Sequence, residues 1–176
     1  MEYSDYDLIK GIKDGDGDAL ELLVRRWYPR IFGYVQKTLG NEQDAYDTTQ
    51  EIFLSVVQNI KAIYPWSRFK SWIFTIAHNK CLDFLRLQRP IEKNIQDMEI
   101  PDLSPLPDDL IESSLTVEQA LNTLTTPQRE TVVLHYMYQF TAKEIARMTH
   151  TPLPTVKSRI TSAKQLLSKF FREGFS

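Results

Sequence analysis

The sequence predicts an all-α protein made of two small helical domains joined by a Pro-rich, acidic linker. Three observations carry this. Apolar residues recur at three- and four-residue steps through most of the chain, the period of an amphipathic helix. Alternating strand patterns closed by hairpin turns are missing, and only 6 of the 176 residues are glycine. Residues 90–110 hold Pro90, Pro101, Pro105 and Pro107 among many acids, a composition that buries too little surface to fold by itself. The expected boundaries are a first domain over 1–90, a linker over 91–113 and a second domain over 114–176.

A short first helix is predicted from Asp5 to Lys13, and "DGDGDA" breaks and restarts the chain. A long helix follows from Asp18 to Leu39, with Leu20, Leu23, Val24, Trp27, Ile31 and Tyr34 on one face; Gly40 and Asn41 end it. A third is predicted from Glu42 to Ile63, burying Ala45, Thr49, Ile52, Phe53, Val56 and Ile60, and a fourth from Arg68 to Gln88. In the second domain, "SSLTVEQALNTL" has the pattern of an amphipathic helix. The next helix takes Thr126 as N-cap and Pro127 as first residue, where a missing N–H does no harm. Thr141 and Glu144 form a capping box opening a helix from Ala142 to Met148. After the tight turn "THTP", Thr151 is placed to cap the last helix, with Pro152 at its first position and Pro154 within the first turn.

Hydrophobic content of 42% suffices for ordinary cores, and a net charge of -2 names no partner. The charge is uneven, however. From Thr141 onward seven Lys and Arg face only Glu144 and Glu173, whereas residues 91–120 carry eight acids against Lys93. A basic end beside an acidic middle occurs in nucleic-acid binders and also as ordinary surface scatter. Cys81 is the only cysteine and sits in an apolar-periodic stretch, as a small core residue would. The first ten residues lack a basic stretch followed by an apolar run, and no segment approaches the ~18 apolar residues of a membrane span. A soluble, cytoplasmic protein is expected. "DGDGD" begins like a calcium loop, but the sixth position is Ala19 and the twelfth Arg25, which excludes an EF-hand. His78 and Cys81 supply two zinc ligands where a closed site needs four, and His135 and His150 have no evident partners. No nucleophile–base set or phosphate loop stands out, so neither enzyme chemistry, a cofactor nor a metal is expected.

Three polar faces invite a function. In "TPLPTVKSRITSAKQLL", Val156, Ile160, Ala163, Leu167, Phe170 and Phe171 form the core stripe, and Ser158, Thr161, Ser162 and Gln165 point away from it. Lys157 and Lys164 flank one side of the stripe, Arg159 and Thr155 the other. A short helix, a tight turn and such a helix resemble a helix-turn-helix, whose second helix enters the major groove with cations reaching phosphates. A solvated polar face is the plainer alternative. On the third helix Asp47, Gln50, Glu51 and Leu54 form an exposed strip that suits either solvent or a partner helix bearing Arg or Lys. On the fourth helix Asn79, Asp83 and Arg86 share a face, as a surface ion pair or as groups that meet a base.

Taken together, these segments resemble the extracytoplasmic-function (ECF) group of bacterial sigma factors. "GNEQDAYDTTQEIFLSVVQNI" is similar to the group's D-A-x-D-x-x-Q-E-x-F pattern for binding core polymerase. "FKSWIFTIAHNKCLDFLR" is similar to F-x-[ST]-W-[LI]-x-x-I-A-x-N-x-x-x-D-x-x-R, and "LTTPQRETVVLHYMYQFTAKEIARM…TVKSRITSAKQLL" to its C-terminal helix-turn-helix. The resemblance spans nearly everything but the linker. It implies that Asp47, Gln50, Glu51 and Leu54 dock on the β′ coiled coil of core RNA polymerase, and that the second domain meets the β flap. It implies that the loop with Tyr64 and Trp66, together with Asn79, Asp83 and Arg86, meets the separated promoter −10 strand, where aromatic rings stack on bases. Phe69 and Trp72 are assigned to packing. Thr155, Lys157, Ser158, Arg159, Thr161, Ser162, Lys164 and Gln165 are then the −35 contacts. An anti-sigma partner, often membrane-anchored in this group, is also implied.

Two departures stand out. The group usually has Gly where this chain has Pro154, and Arg-Ala-Arg where it has Ser162, Ala163 and Lys164. A weaker or altered −35 contact is expected from the missing cation. Two other readings stay open on sequence: a stand-alone regulator similar to the LuxR type, which shares the "LT…RE…EIA…TVK" run, and a helical adaptor that binds only proteins.

Overall fold

The computed structural model describes residues 3–88 and 112–173, and no strand occurs among the described residues. The chain divides into two compact units, one built on the residues up to Arg89 and one on the C-terminal part. The predicted linker of 91–113 lies outside the described residues, except that Glu112 and Ser113 belong to the first helix of the second unit.

In the first unit, α1 (Asp5–Asp14), α2 (Gly17–Leu39), α3 (Glu42–Asn59) and α4 (Phe69–Leu87) form a bundle. Local chemistry sets each boundary. Ser4 and Asp7 form a reciprocal capping box, in which the Asp7 N–H donates to Ser4 Oγ and the Ser4 N–H to Asp7 Oδ2. Gly15, at φ 93°, turns the chain out of α1, and Asp16 Oδ1 accepts from the N–H groups of Asp18 and Ala19 to open α2. Gly40 and Asn41 repeat the device between α2 and α3, with Asn41 Oδ1 accepting from the Asp44 N–H at 3.0 Å.

Trp27 of α2 centres the core of this unit. Its ring meets Phe69 edge-on at 5.3 Å and Phe74 at 6.4 Å, and Tyr34 meets Phe74 at 5.3 Å. Burying each of the two phenylalanines contributes on the order of 2–3 kcal/mol. Ala45, Thr49, Ile52, Phe53, Val56 and Ile60 are all buried, as their spacing predicts, and so is Cys81. On α2, Leu20 and Val24 are only half-buried, while Val35 is fully buried.

The third helix ends earlier than predicted, at Asn59; Ile60–Ala62 form a 3₁₀ turn, as do Trp66–Arg68 before α4. Asn59 turns its side-chain amide back onto the Ser55 carbonyl at 2.8 Å. The Ile63 carbonyl is taken by Lys13 of α1, a tertiary contact that helical periodicity does not encode.

The second unit holds α5 (Glu112–Asn122), α6 (Thr126–Val132) running into a π-helical turn at Val133–Met137, α7 (Ala142–Met148) and α8 (Leu153–Glu173). Leu124, Val133, Leu134, Ile145, Val156 and Ala163 are fully buried. Two predicted caps are corrected. The N-cap of α6 is Thr125 instead of Thr126, because the Thr125 N–H and hydroxyl both donate to Gln128 Oε1 at 3.1 Å, leaving Pro127 second in the helix. The last helix starts at Leu153, two residues after Thr151, and the Val156 N–H closes its first turn on the Pro152 carbonyl at 3.1 Å. The Thr141–Glu144 box forms as predicted: the Thr141 N–H donates to Glu144 Oε2 at 2.8 Å, and the Glu144 N–H donates to Thr141 Oγ1. His135 bonds the Phe140 carbonyl through Nδ1 at 2.8 Å, since the turn after the π-helical segment brings that carbonyl back to it.

Candidate functional site

The α3 strip is where its spacing predicts. Asp47, Gln50, Glu51 and Leu54 are all exposed, and Leu54 shows 63% of its surface to solvent. Two neighbours extend the strip beyond the predicted set: Tyr46 and Val57 are also exposed, and steps of four, four and three residues align Tyr46, Gln50, Leu54 and Val57. The result is an exposed row in which Gln50 separates Tyr46 from the apolar pair Leu54 and Val57, with carboxylates along one edge. Glu51 Oε2 accepts from Lys80 Nζ of α4 at 3.2 Å, which holds that carboxylate over the groove between the two helices.

Between α3 and α4, Tyr64 stands out from the loop at 82% exposure. Trp66 does not share this freedom. Its ring lies 4.6 Å from Tyr6 and 5.1 Å from Lys13 Nζ, and its indole nitrogen is buried. Of the two loop aromatics assigned to strand contact, only Tyr64 presents an open ring. Phe69 is buried and Trp72 half-buried, the two rings 5.9 Å apart, as packing residues are. Asn79, Asp83 and Arg86 lie exposed along one face of α4. Arg86 and Asp83 are paired at 3.9 Å, and an ion pair this open holds its partners only weakly. Both side chains therefore stay available to a ligand.

On α8, Lys157, Ser158, Thr161, Lys164 and Gln165 are exposed, and Thr155 and Arg159 are half-buried. Thr161 donates its hydroxyl hydrogen to the Lys157 carbonyl at 3.1 Å, which leaves its oxygen free to accept. Ser162 corrects the predicted outer face. It is half-buried, accepts from Gln128 Nε2 of α6 at 3.1 Å and donates to the Arg159 carbonyl. The residue that stands where the resemblance expects a cation therefore locks α8 to α6. Phe171 leaves the predicted core stripe at 39% exposure, with its ring edge-on to Phe170. Pro154 is the second residue of α8, where no backbone donor is needed, so its replacement of the usual Gly leaves the helix start intact. The turn before α8 places His150 at φ 50°, and the Thr151 N–H bonds the Ala146 carbonyl at 3.0 Å.

Arg129 supports this helix-turn-helix from behind. Its buried guanidinium donates from Nε to the Leu121 carbonyl at 3.0 Å and from a terminal nitrogen to that of Leu124 at 3.5 Å. It thereby ties α6 to the C-terminal end of α5, and burial lowers its pKa from the ordinary arginine value. Periodicity gives no sign of Arg129 or Lys13, because each acts on a carbonyl distant in the chain or on a loop. Gln128 did have a signal: Thr125-x-x-Gln128 is itself a capping-box pattern. No group of three or more His, Cys, Asp or Glu suited to a metal occurs among the described residues, and no described helix is long and apolar enough to cross a membrane.

A helical bundle with an exposed acidic strip on α3 is followed by a unit in which a short helix, a tight turn and a helix with exposed cations form a helix-turn-helix. The sigma-70 region 2 family matches residues 23–91, and the sigma-70 region 4 family matches residues 114–167. Among curated proteins, the ECF RNA polymerase sigma factor SigM of Mycobacterium tuberculosis is 30% identical over 170 residues, covering 96% of this chain and 85% of that protein. The RNA polymerase sigma factor CarQ of Myxococcus xanthus is 34% identical over 139 residues, covering 77% and 79%. SigW of Bacillus subtilis is 29% identical over 178 residues, covering 94% and 95%. Among solved structures, CnrH in complex with the cytosolic domain of CnrY matches with a TM-score of 0.69 at 23% identity, covering 96% of this chain and 97% of that one. The chain belongs to the ECF group of sigma-70 family RNA polymerase sigma factors, which act in transcription initiation. The stand-alone regulator and the adaptor leave the region 2 match unexplained.

Proposed function

We propose that residues 1–90 bind core polymerase and the −10 element, that residues 114–176 bind the −35 element, and that 91–113 join them. Asp47, Gln50, Glu51 and Leu54 dock on the β′ coiled coil, with Tyr46 and Val57 widening the contact. Tyr64, Asn79, Asp83 and Arg86 meet the separated −10 strand, with Trp66 in support. Thr155, Lys157, Ser158, Arg159, Thr161, Lys164 and Gln165 face the −35 duplex, and Ser162 acts through the packing of α8. The second unit also meets the β flap. The polymerase performs the chemistry, and the sigma factor works without catalytic residues, cofactor or metal, in the cytoplasm.

The observation that carries this reading is Leu54: a large apolar side chain 63% exposed beside Asp47 and Glu51, on a helix whose opposite face is fully buried. Such a strip is stable in water but gains when a partner covers it. Run-off transcription with purified core polymerase tests the reading. Initiation at a cognate promoter should require this chain, and Leu54→Asp or Asp47→Arg should weaken core binding by tenfold or more (about 1.4 kcal/mol and above), the cost that marks the minority of interface residues that matter energetically. Normal core binding by both variants refutes the docking strip.

An anti-sigma partner is part of the proposal. CnrH is solved with the cytosolic domain of CnrY, and the sigma factor RpoE of Bartonella quintana with the anti-sigma factor NepR, the latter at a TM-score of 0.68 and 19% identity. Co-purification from the native cell tests for such a partner; recovery of the chain with core polymerase alone counts against it.

A further inference from the structure

The loop that carries Tyr64 is tied to α1 on both sides of that residue. On one side, the Ile63 side chain is buried and its carbonyl accepts from Lys13 Nζ at 2.9 Å. On the other, the Trp66 ring lies 4.6 Å from Tyr6 and 5.1 Å from the same Lys13 nitrogen. The Arg68 N–H closes the following turn on the Pro65 carbonyl at 3.0 Å. The Trp66 indole nitrogen is itself buried in this seat. Between the anchors, Tyr64 is 82% exposed.

We propose that Lys13 and Tyr6 are positioning residues for promoter opening: from α1 they hold the 63–68 loop so that the Tyr64 ring is already extended toward the separated strand. The inference rests on the reading of Tyr64 as a −10 strand contact. The physical gain is preorganisation. A ring on a slack loop must be ordered when it stacks on a base, and that entropy then comes off the affinity; a ring ordered by folding avoids the loss. Lys13 is suited to the task because one ammonium serves two anchors, a carbonyl and an aromatic face. With its ammonium engaged inward, it acts through the loop and not on phosphate.

The test uses the full chain bound to purified core polymerase and a fluorescently labelled non-template-strand oligonucleotide carrying the −10 element of a promoter mapped by run-off transcription. Tyr64→Ala should lower oligonucleotide affinity about tenfold, the scale of one lost stacking contact. Lys13→Ala should lower it by roughly tenfold as well, the scale of ordering about one residue on binding. Lys13→Arg, which keeps a donor and a cation over the ring, should restore most of the loss. The double variant Lys13→Ala/Tyr64→Ala should bind within about threefold of Tyr64→Ala alone, because residues acting through one another are not additive. Affinity for core polymerase should stay unchanged. Tyr6→Ala gives a second perturbation of the same anchor and should reproduce the Lys13→Ala loss should that variant fold poorly.

Three results overturn the proposal while leaving the −10 reading standing: full affinity in both Lys13→Ala and Tyr6→Ala, additive losses in the double variant, or a salt dependence whose slope falls by about one unit in Lys13→Ala, the mark of a phosphate contact. Full affinity in Tyr64→Ala overturns the −10 reading and the proposal together.

Discussion

Replacing Arg129 with methionine removes the clamp between α6 and α5 while nearly keeping side-chain volume. Arg129 is 8% exposed and donates to Leu121 at 3.0 Å and Leu124 at 3.5 Å. A hydrogen bond from a charged donor contributes about 1.5–3 kcal/mol. The second contact is at the geometric limit and adds little. Relief of the buried charge offsets part of the loss, but two carbonyls at a helix C-terminus, where partial negative charge collects, are left without their donor. The net cost is about 2 kcal/mol, or roughly a 30-fold rise in the opening equilibrium of the second unit. Native-state hydrogen exchange on the full chain reads this directly. Amides of α6 should exchange about 30-fold faster, those of α4 should not change, and −35 duplex binding should weaken. Arg129→Lys should lie between, since one ammonium cannot span both carbonyls as a planar fork does. Exchange in α6 within about threefold of the parent protein, or an equal change in α4, refutes the clamp.

Three further outcomes follow from the same contacts. Ser162→Arg should steepen the salt dependence of −35 binding by about one unit as a phosphate-reaching cation is added, and destabilise the second unit by about 1 kcal/mol as the Gln128 bond is lost; unchanged promoter choice and affinity at fixed salt would sink the missing-cation idea. Asp7 accepts from the Ser4 side chain and backbone, which lowers its carboxyl pKa. With a lowered folded pKa, its support of α1 is fully present above the ordinary aspartate value and is lost as pH falls through the folded one. Carboxyl NMR titration should find the Asp7 midpoint below about 3.9, moving upward in Ser4→Ala. His150 sits at φ 50°, a region closed to branched residues, so His150→Val should lower stability by about 1–2 kcal/mol in urea unfolding while His150→Gly stays within about 1 kcal/mol of the parent.

Much of this architecture is set by local chemistry and is therefore readable from the residues alone. The 3.6-residue period fixes which side of α3 turns inward, so it also fixes that Asp47, Gln50, Glu51 and Leu54 turn outward. Capping residues three positions from their partners, Ser4 with Asp7 and Thr141 with Glu144, act within a single turn and need no tertiary partner. The order and spacing of the motifs likewise exist before folding, which is why the family is legible in them.

Tertiary structure decides what a helix face meets. Ser162 lies on the polar side of α8 by its spacing, and it is the approach of α6 that brings Gln128 onto it. Trp66 has the composition of a free loop aromatic until α1 brings Tyr6 and Lys13 against it. In each case the deciding contact joins groups distant in the chain, and its energy depends on distances of a few ångströms that no local period specifies. The sequence by itself determined the helices, their outward strips and the family; the packing of α1 on the loop and of α6 on α8 decided which of the outward residues are held by neighbours and which stand open.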